Sequence, residues 1–541
     1  MRNQQKIIKN VYQGQLNYNN TFGKHTIGAT FVAERQESFL TSNWIHAVPK
    51  TNALPLIYFA TADTYNDAAS QEARIGYIGR VNYNYENKYY VEMSARRDAS
   101  WKFAPDKRVG YFPSASAGWR ITQEPFMKSL LENGKVINDL KIRASYGILG
   151  DDDIGIGDYD YLAGYNYNQG LAILNGVPVI GSSDKGQPIT NISWFKSKIL
   201  DIGVDASLFG SKLTATVDYF NRLRTGLRGR KYDIFIPSEL GYSLPDENVN
   251  SDSQRGIEGS LAYNGNRGEL NYNIVGNASI SRARNEDSYK PIFFNSWDQY
   301  RNSSEKRYNN ITWGYETIGQ FQSMDQINNY PVNIDGQGNK TLLPGDLMYK
   351  DVNGDGKINS LDQRPIGYTQ GGQPNINFGF NLRLAYKNFD FTADFSGGAM
   401  YSFVQNWELR WPYQNEGALN QLLTDRWHRA DPFDLNSEWI PGKFPAYRFN
   451  NGGHSDYNKT STFWLTNVNY LRVRTIELGF SLPKSLLSKF KMQQARIYIN
   501  CYNLFSIDNV SKLGVDPEIW DGNGLTYPQN KFVNVGIKLS L

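Results

Sequence analysis

Hydrophobic and polar residues alternate with a period of two along much of this chain. The pattern is clearest in residues 75–98, where Ile75, Tyr77 and Val81 share one face of a segment and Arg80 lies on the other. After a short turn the alternation resumes. Because successive side chains of a β-strand point to opposite sides of the sheet, the segment predicts a hairpin with one apolar, aromatic face and one charged face.

Fifteen segments with this alternation recur, and short and long connections follow one another between them. The segments lie near residues 10–22, 25–38, 73–85, 88–99, 108–121, 138–149, 197–208, 212–225, 254–264, 270–284, 375–386, 389–402, 468–482, 493–506 and 531–541. The long connections are expected near residues 39–72, 100–107, 150–196, 226–253, 285–374, 403–467 and 507–530. Short turns at one end of a sheet and long loops at the other are typical of outer-membrane barrels. The pattern therefore predicts an all-β fold, an antiparallel transmembrane β-barrel.

The composition agrees with a barrel and excludes several other classes of protein. Aromatic residues make up 14% of the 541 residues, which is too many for a disordered chain. No run of about 18 apolar residues is present, so no membrane-spanning helix is predicted, whereas a barrel strand needs only about 9–11 residues. The net charge of +4 argues against nucleic-acid binding. The single cysteine, Cys501, excludes an intrachain disulfide framework.

The number of strands predicts an incomplete barrel. Because fifteen is odd, the first and last strands would run in the same direction and could not pair in the antiparallel manner that closes such barrels. The sheet is therefore expected to be open at its N-terminal edge, where unpaired backbone groups in hydrocarbon cost several kcal/mol each. The first residues lack the apolar stretch of a signal peptide. We expect a fragment that inserts stably only when further strands are supplied.

Five segments carry the motifs of a known family. They are VGYFPSASAGWR (109–120), LKIRASYG (140–147), PGDLMYKDVNGDGKI (344–358), YLRVRTIELGF (470–480), and the closing YPQN (527–530) with residues 533–541. In these segments, which span nearly the whole chain, the sequence resembles the SusC/RagA-type TonB-dependent outer-membrane transporters of Bacteroidetes.

The resemblance implies a location, a function and a set of partners. The family has a 22-stranded barrel, so these would be its last fifteen strands, with the signal peptide, the plug domain and the first strands absent. It implies the bacterial cell outer membrane, and uptake of carbohydrate as oligosaccharides, or of peptides, together with a SusD-like surface lipoprotein. Outer-membrane lipid would surround the barrel. The TonB complex would act only through the plug, which has no counterpart in this chain.

A calcium-binding loop is predicted at residues 351–362, DVNGDGKINSLD. Oxygen-bearing side chains at positions 1, 3 and 5, a glycine at position 6, a backbone carbonyl at position 7 and a carboxylate at position 12 match a Ca²⁺ loop. The candidate ligands are Asp351, Asn353, Asp355, Lys357 (through its carbonyl), Asn359 and Asp362. Aspartate replaces the usual glutamate at position 12, and an acidic turn without an ion is the alternative. The ion would have a structural role in the 285–374 connection.

Aromatic residues in the long connections are candidates for contact with a substrate or partner. They are Trp407, Trp411, Tyr413, Trp427 and Trp439 in the 403–467 connection, and Trp313 in the 285–374 connection. Aromatic rings stack on sugars and anchor protein partners. The alternative is that these residues form loop cores or a belt at the membrane interface.

The preferred hypothesis is nutrient uptake, and two others remain open. One is a secreted, soluble β-rich protein that binds glycans through the same aromatic connections. The other, an enzyme of the glycosidase type, finds little support. The four histidines, His25, His46, His428 and His454, are scattered, and no HExxH, GxSxG or P-loop motif is present. We therefore interpret the chain as a non-enzyme.

Overall fold

The computed structural model describes most of the chain. It describes residues 2–49, 56, 60–127, 136–231, 234, 236–289, 292–309, 311–368, 370, 373–414, 420–448, 454–490, 492–519, 522–527 and 529–540. Parts of the predicted connections at 39–72, 226–253, 285–374, 403–467 and 507–530 lie outside the described residues, as does the last residue of the 531–541 segment.

The described residues are built mainly of β-strands. In chain order these are β1 (Arg2–Phe22), β2 (His25–Pro49), β3 (Ala60–Tyr85), β4 (Tyr89–Ser100), β5 (Val109–Arg120), β6 (Ile137–Asp151), β7 (Tyr165–Leu174), β8 (Val177–Asp184), β9 (Phe195–Leu208), β10 (Leu213–Gly229), β11 (Glu247–Arg267), β12 (Leu270–Asn285), β13 (Arg307–Tyr308), β14 (Thr312–Gly314), β15 (Thr317–Gln320), β16 (Leu347–Tyr349), β17 (Arg364–Gly367), β18 (Ile376–Tyr386), β19 (Phe389–Val404), β20 (His428–Arg429), β21 (Trp439–Ile440), β22 (Leu465–Ser481), β23 (Gln494–Tyr502), β24 (Ser506–Asp508) and β25 (Phe532–Ser540). Ten of them, β7, β8, β13–β17, β20, β21 and β24, lie within connections. The other fifteen follow the fifteen predicted segments, which confirms the all-β prediction.

Helices are few and short. Those that lie wholly within the described residues are α1 (Ser296–Asn302), α2 (Met324–Asn328), α3 (Ser455–Asn458) and α4 (Lys484–Leu487). The 3-10 helices that lie wholly within the described residues are Ile121–Gln123, Ser238–Leu240, Ser360–Asp362, Trp407–Leu409, Gln421–Thr424, Ser488–Phe490 and Ser511–Leu513. Within the described part of the chain, none of the helices has the length and apolar character needed to cross a membrane.

The chain forms two compact units. The first comprises Met1–Ala206, Asp218–Arg255 and Ala283–Arg307, and the second comprises Ser207–Val217, Gly256–Arg282 and Tyr308–Leu541. Each unit contains a ladder of antiparallel strands and is described separately below.

In the first unit, strands β1 to β6 pair consecutively in an antiparallel ladder. Between β3 and β4, Val81 lies opposite Met93, and the two side chains are 50% and 61% exposed, respectively. This apolar face therefore does not pack on a second sheet. On the other face, the guanidinium of Arg80 donates to the carboxylate of Glu92 at 2.6 Å. The strands thus have the outward apolar face and inward charged face of a membrane barrel.

The second unit repeats this arrangement. Strands β12, β18, β19, β22, β23 and β25 pair in that order in an antiparallel ladder. On β25, Val535 and Ile537 are 75% and 66% exposed. On the polar face, the guanidinium of Arg496 donates to the carboxylates of Asp390 and Glu477. On β25 the apolar side chains alternate with polar ones, and the side chain of Asn534 donates to that of the buried Asn500 at 3.0 Å.

Residues 39–72 are mostly strand and not the loop that the sequence pattern predicted. Strands β2 and β3 remain paired from Phe39 opposite Gln71 to Pro49 opposite Ala60. A strand rises about 3.3 Å per residue, so the 25 residues of β2 extend well beyond the apolar band of about 25 Å that faces lipid. Beyond that band, backbone pairing continues without apolar alternation, which is why the predicted strands ended too early.

Two further connections contain more strand than expected. The 150–196 connection holds an antiparallel hairpin of β7 and β8, which the sequence analysis did not predict. The 226–253 connection is shorter than predicted at both ends, because β10 continues to Gly229 and β11 begins at Glu247. The connections at 285–374 and 403–467 begin and end close to the predicted positions.

Candidate functional site

The connections between β12 and β18 and between β19 and β22 contain a compact body with a hydrophobic core. We call the described residues of 311–368 and 405–464, which belong to the second unit, the loop assembly. Its core side chains with less than 2% exposure are Phe321, Ile327, Ile334, Leu342, Leu347, Tyr349, Leu423, Tyr457 and Trp464. Much of the core of the second unit therefore lies in these two connections.

The short helix α3 is the point at which several segments of the loop assembly meet. The indole N–H of Trp464 donates to the backbone carbonyl of Asp456 at 2.8 Å, and that of Trp411 donates to the carbonyl of Tyr457 at 2.8 Å. The hydroxyl of Tyr349 donates to the carbonyl of the first residue of α3 at 3.0 Å. Three aromatic residues from separate segments thus satisfy backbone acceptors that would otherwise be buried without partners.

A cluster of charged side chains is buried beside α3. Asp346 and Asp456 have no exposed surface. The guanidinium of Arg448 donates to both oxygens of Asp346, at 2.8 Å from Nη1 to Oδ1. Burial raises the pKa of the Asp456 carboxyl well above its usual value. Burial also lowers the pKa of His454, which leaves its imidazole neutral at pH 7.

The predicted calcium loop forms one closed turn in the structure. The Asp351 carboxylate accepts from the backbone N–H groups of Gly354 and Gly356 at 2.7 and 2.8 Å. Gly356 has a φ of +75°, in the left-handed region that favours glycine. The carboxylate of Asp355 accepts from the N–H of Lys357 at 3.0 Å. The turn that the motif requires is therefore preformed by the backbone.

The last residue of the motif closes the loop. The carboxylate of Asp362 is buried and accepts from the N–H groups of Val352 at 2.9 Å and Asn359 at 2.8 Å. The side chain of Asn359 donates to Asp355 at 3.1 Å, as does that of Asn353, and the latter contact lowers the pKa of Asp355.

The oxygen donors of this loop suit a hard cation, although its three carboxylates do not all lie within 4.8 Å of one another. In the described residues, Asp346, His454 and Asp456 form the only group of three carboxylate, histidine or cysteine side chains whose donor atoms all lie within 4.8 Å of one another. The three carboxylates of 351–362 are therefore farther apart than that. Its donors are nevertheless oxygens, which Ca²⁺ prefers, and each carboxylate oxygen that accepts one hydrogen bond retains a second lone pair.

The candidate aromatic residues divide into exposed and buried ones. Trp407 and Tyr413 are 46% and 60% exposed. Trp411 is half-buried, and its ring centroid lies 5.1 Å from that of Trp407. Trp427 is buried and packs on Gly345, so it presents no surface to a ligand.

The other two candidates lie in short strands. Trp439 is half-buried in β21, with the guanidinium of Arg429 4.7 Å from its ring centroid. Trp313 is half-buried in β14, opposite Pro365 of β17. The structure therefore brings Trp407 and Trp411 together, and it does not place all six candidates on one surface.

Sequence reasoning missed the buried charged cluster. Asp346 lies in the motif at residues 344–358, but nothing near it in the sequence indicates a partner 102 residues away, the separation from Arg448. The four histidines are scattered along the chain with no HExxH pair, so the sequence gives no sign that His454 belongs to a cluster. Only the meeting of two connections brings these side chains together.

The fold and its connections define the class of protein. The chain is an antiparallel transmembrane β-barrel protein with long, structured connections, and the comparisons with known proteins agree. No protein-family model matches the chain. TonB-dependent receptor P3 of Formosa agariphila is 26% identical over 525 residues, covering 94% of this chain and 48% of that protein. TonB-dependent receptor SusC of Bacteroides thetaiotaomicron is 25% identical over 492 residues, covering 87% and 44%.

Solved structures show the same fold. The structure of the RagAB peptide importer in the open-open state superimposes with a TM-score of 0.76 at 19% identity, covering all of this chain and 55% of that chain. The RagAB peptide transporter gives 0.74 at 20% identity, covering 100% and 56%. The chain spans about half the length of the curated relatives it matches. The resemblance to SusC/RagA-type TonB-dependent transporters is confirmed, and the chain is an outer-membrane protein.

Proposed function

We propose that the chain is the carboxyl-terminal barrel part of an outer-membrane importer of oligosaccharides or peptides that acts with a SusD-like surface lipoprotein. The observation that carries this proposal is that the two faces of the strands differ, one being apolar and the other charged. Apolar residues such as Val81 and Val535 are exposed on one face, and ion pairs such as that of Arg80 with Glu92 lie on the other. An outer face for lipid and a charged interior are what a transport barrel requires.

The exposed aromatic residues of the loop assembly are the proposed contacts for cargo or lipoprotein. Trp407 and Tyr413 keep about half their surface exposed, and each packs by its ring edge against a partner that is only partly exposed, Trp411 and Tyr447 respectively. Such rings are held in place before a ligand arrives, so little conformational entropy is lost when they bind. RagAB, whose structures share this fold, is a peptide importer, and peptide is therefore one candidate cargo.

Fractionation and affinity purification test this function. We expect the tagged chain in the detergent-soluble outer-membrane fraction, with a surface lipoprotein copurifying, and loss of growth on specific oligosaccharides or peptides when the gene is deleted. Trp407→Ala with Tyr413→Ala should weaken lipoprotein recovery or uptake several-fold, since truncating an interface aromatic costs about 1 kcal/mol or more. Phe294→Ala, which removes an exposed ring from another connection, is the control. A chain secreted in soluble form without detergent would instead support a glycan-binding protein.

We further propose that residues 351–362 bind a structural Ca²⁺ ion. The ligands would be the side-chain oxygens of Asp351, Asn353 and Asp355, the carbonyl of Lys357 and the carboxylate of Asp362, with Asn359 at the ninth position. The preformed turn at Gly356 and the buried Asp362 support the proposal. The ion would stabilise a segment that also pairs with the backbone of Asn333. The N–H of Asn333 donates to the carbonyl of Gly356 at 2.8 Å, and the N–H of Ile358 donates to the carbonyl of Asn333 at 2.9 Å.

Isothermal titration of the detergent-purified chain after chelation tests the calcium proposal. We expect one Ca²⁺ per chain, with a dissociation constant on the order of 10⁻⁵–10⁻³ M, between the weakest sensor loops and the extracellular modules. Asp355→Ala should weaken binding at least tenfold, because it removes a charged ligand. Asp434→Asn, at an exposed carboxylate of another segment, should not change it. Absence of Ca²⁺ uptake by the unmodified chain would rule the site out.

A further inference from the structure

Two carboxyl groups from distant parts of the chain meet in the interior of the loop assembly. Asp346 precedes β16 and Asp456 lies in α3, and neither side chain has exposed surface. One oxygen of each carboxyl group and one ring nitrogen of His454 lie within 4.8 Å of one another. Arg448 is the cation that forms salt bridges with both carboxyls, at 3.6 Å from Asp456.

One carboxylate oxygen of these two residues, Oδ2 of Asp456, accepts no hydrogen bond from the described residues. Both oxygens of Asp346 accept from Arg448, and Oδ2 also accepts from the backbone N–H of Leu343 at 2.7 Å. Oδ1 of Asp456 accepts from the N–H of Leu347 at 3.1 Å. Among the described residues, Oδ2 of Asp456 has no hydrogen-bond partner. A buried carboxylate oxygen without a donor is costly, so this atom requires an explanation.

A bound proton explains the unpartnered oxygen better than a bound metal does. A metal ion needs several free lone pairs, yet Asp346 is engaged by Arg448 and the Nδ1 atom of His454 accepts from the N–H of Asp456 at 3.3 Å. The guanidinium of Arg448 would also repel a cation. A proton on Asp456 needs only one acceptor, and the neighbouring Asp346 carboxylate can provide it.

The remaining groups that face the pair do not supply a second counter-charge at close range. They are Tyr349, Tyr457, Arg410, Lys459 and the neutral His454. The guanidinium of Arg410 donates to the backbone carbonyl of Lys459 at 2.6 Å, and the ammonium of Lys459 lies 5.8 Å from the ring centroid of Tyr315. One guanidinium thus contacts two buried carboxyls, and full ionisation of both would leave an excess negative charge in the interior.

We propose that Asp456 is a neutral carboxylic acid that donates its proton to Asp346, so that the pair and Arg448 form a one-proton latch joining the two connections of the loop assembly. The latch holds α3 against the segment before β16. The raised pKa of Asp456 agrees with this arrangement. The proposal does not depend on the transport function.

The latch makes docking of the two connections dependent on pH. An opened loop assembly exposes Asp456 to water and returns its pKa to the ordinary value of about 4. Below that pH both forms hold the proton, and the docked form has its full stability. Above it, the open form releases the proton while the docked form keeps it, so the opening equilibrium rises by up to tenfold per pH unit until the raised pKa is reached.

Infrared spectroscopy and hydrogen exchange on the detergent-purified full chain test the latch. At pH 7 we expect a protonated carboxylic acid band that is absent from Asp456→Asn and present in the matched control Asp434→Asn. The opening constant from exchange at the Leu347 amide should rise with pH in the unmodified chain, after correction for intrinsic exchange. In Asp456→Asn it should be nearly independent of pH, because the amide donates to Asp346 without ionising.

Three outcomes would overturn the proposal. One is an unchanged carboxylic acid band in Asp456→Asn, which would place the proton elsewhere. Another is an opening constant at pH 7 that is as large in Asp456→Asn as in Asp456→Ala. This result would show that an uncharged hydrogen-bond donor cannot replace the native carboxyl group. A stoichiometric metal ion that survives purification and is lost from both variants would also contradict a latch built on a proton.

Discussion

Replacing Arg448 with methionine should destabilise the loop assembly by about 3–5 kcal/mol, the cost of leaving a buried charge without its partner. The guanidinium of Arg448 donates to both oxygens of the fully buried Asp346. Methionine retains much of the side-chain volume but removes every donor. Hydrogen exchange at the amides of Phe321 and Leu347 measures the free energy of opening.

Lys350→Met is the matched control for this change. The ammonium of Lys350 pairs with Glu316 at 3.0 Å, but the two side chains are 50% and 48% exposed. Solvent screens such a pair, so its loss should cost less than about 1 kcal/mol. If Arg448→Met and Lys350→Met lowered the free energy of opening equally, the buried cluster would not be stabilised by its ion pair.

Trp464→Ala should have a comparable effect for a different reason. The side chain is fully buried and packs on Phe444, Tyr457 and Phe463, with ring centroids 4.9–5.9 Å apart. Truncating a buried tryptophan costs about 3–5 kcal/mol, because it removes apolar contacts and leaves a cavity. The substitution also leaves the carbonyl of Asp456 without its indole donor. Faster proteolysis within residues 405–464 would report the loss.

Trp407→Ala separates packing from binding. Trp407 is 46% exposed, so its removal should change the stability of the loop assembly by less than about 1 kcal/mol while weakening contact with cargo or lipoprotein. A loss of stability as large as that of Trp464→Ala would mean that Trp407 belongs to the core. It would then no longer be a candidate contact residue.

The strands and their order could be predicted from the sequence because each depends on local periodicity. On β25, Val535 and Ile537 alternate with polar residues, and they are exposed in the structure as a lipid-facing surface requires. The turn of the 351–362 loop was also predictable, since a left-handed glycine at position 356 is a local requirement. The ends of β2 and β3 were not, because their pairing beyond the lipid depends on the backbone alone.

The sequence by itself thus determined a two-sided antiparallel ribbon with alternating short and long connections, because a period of two is set by neighbouring residues. Only the tertiary structure decided what the long connections do. Trp407 and Trp427 are alike in sequence context, yet one is exposed and the other is buried against Gly345. Asp346 and Arg448 pair across 102 residues. Burial and charge pairing in irregular segments depend on which distant segments meet, and no local period records that.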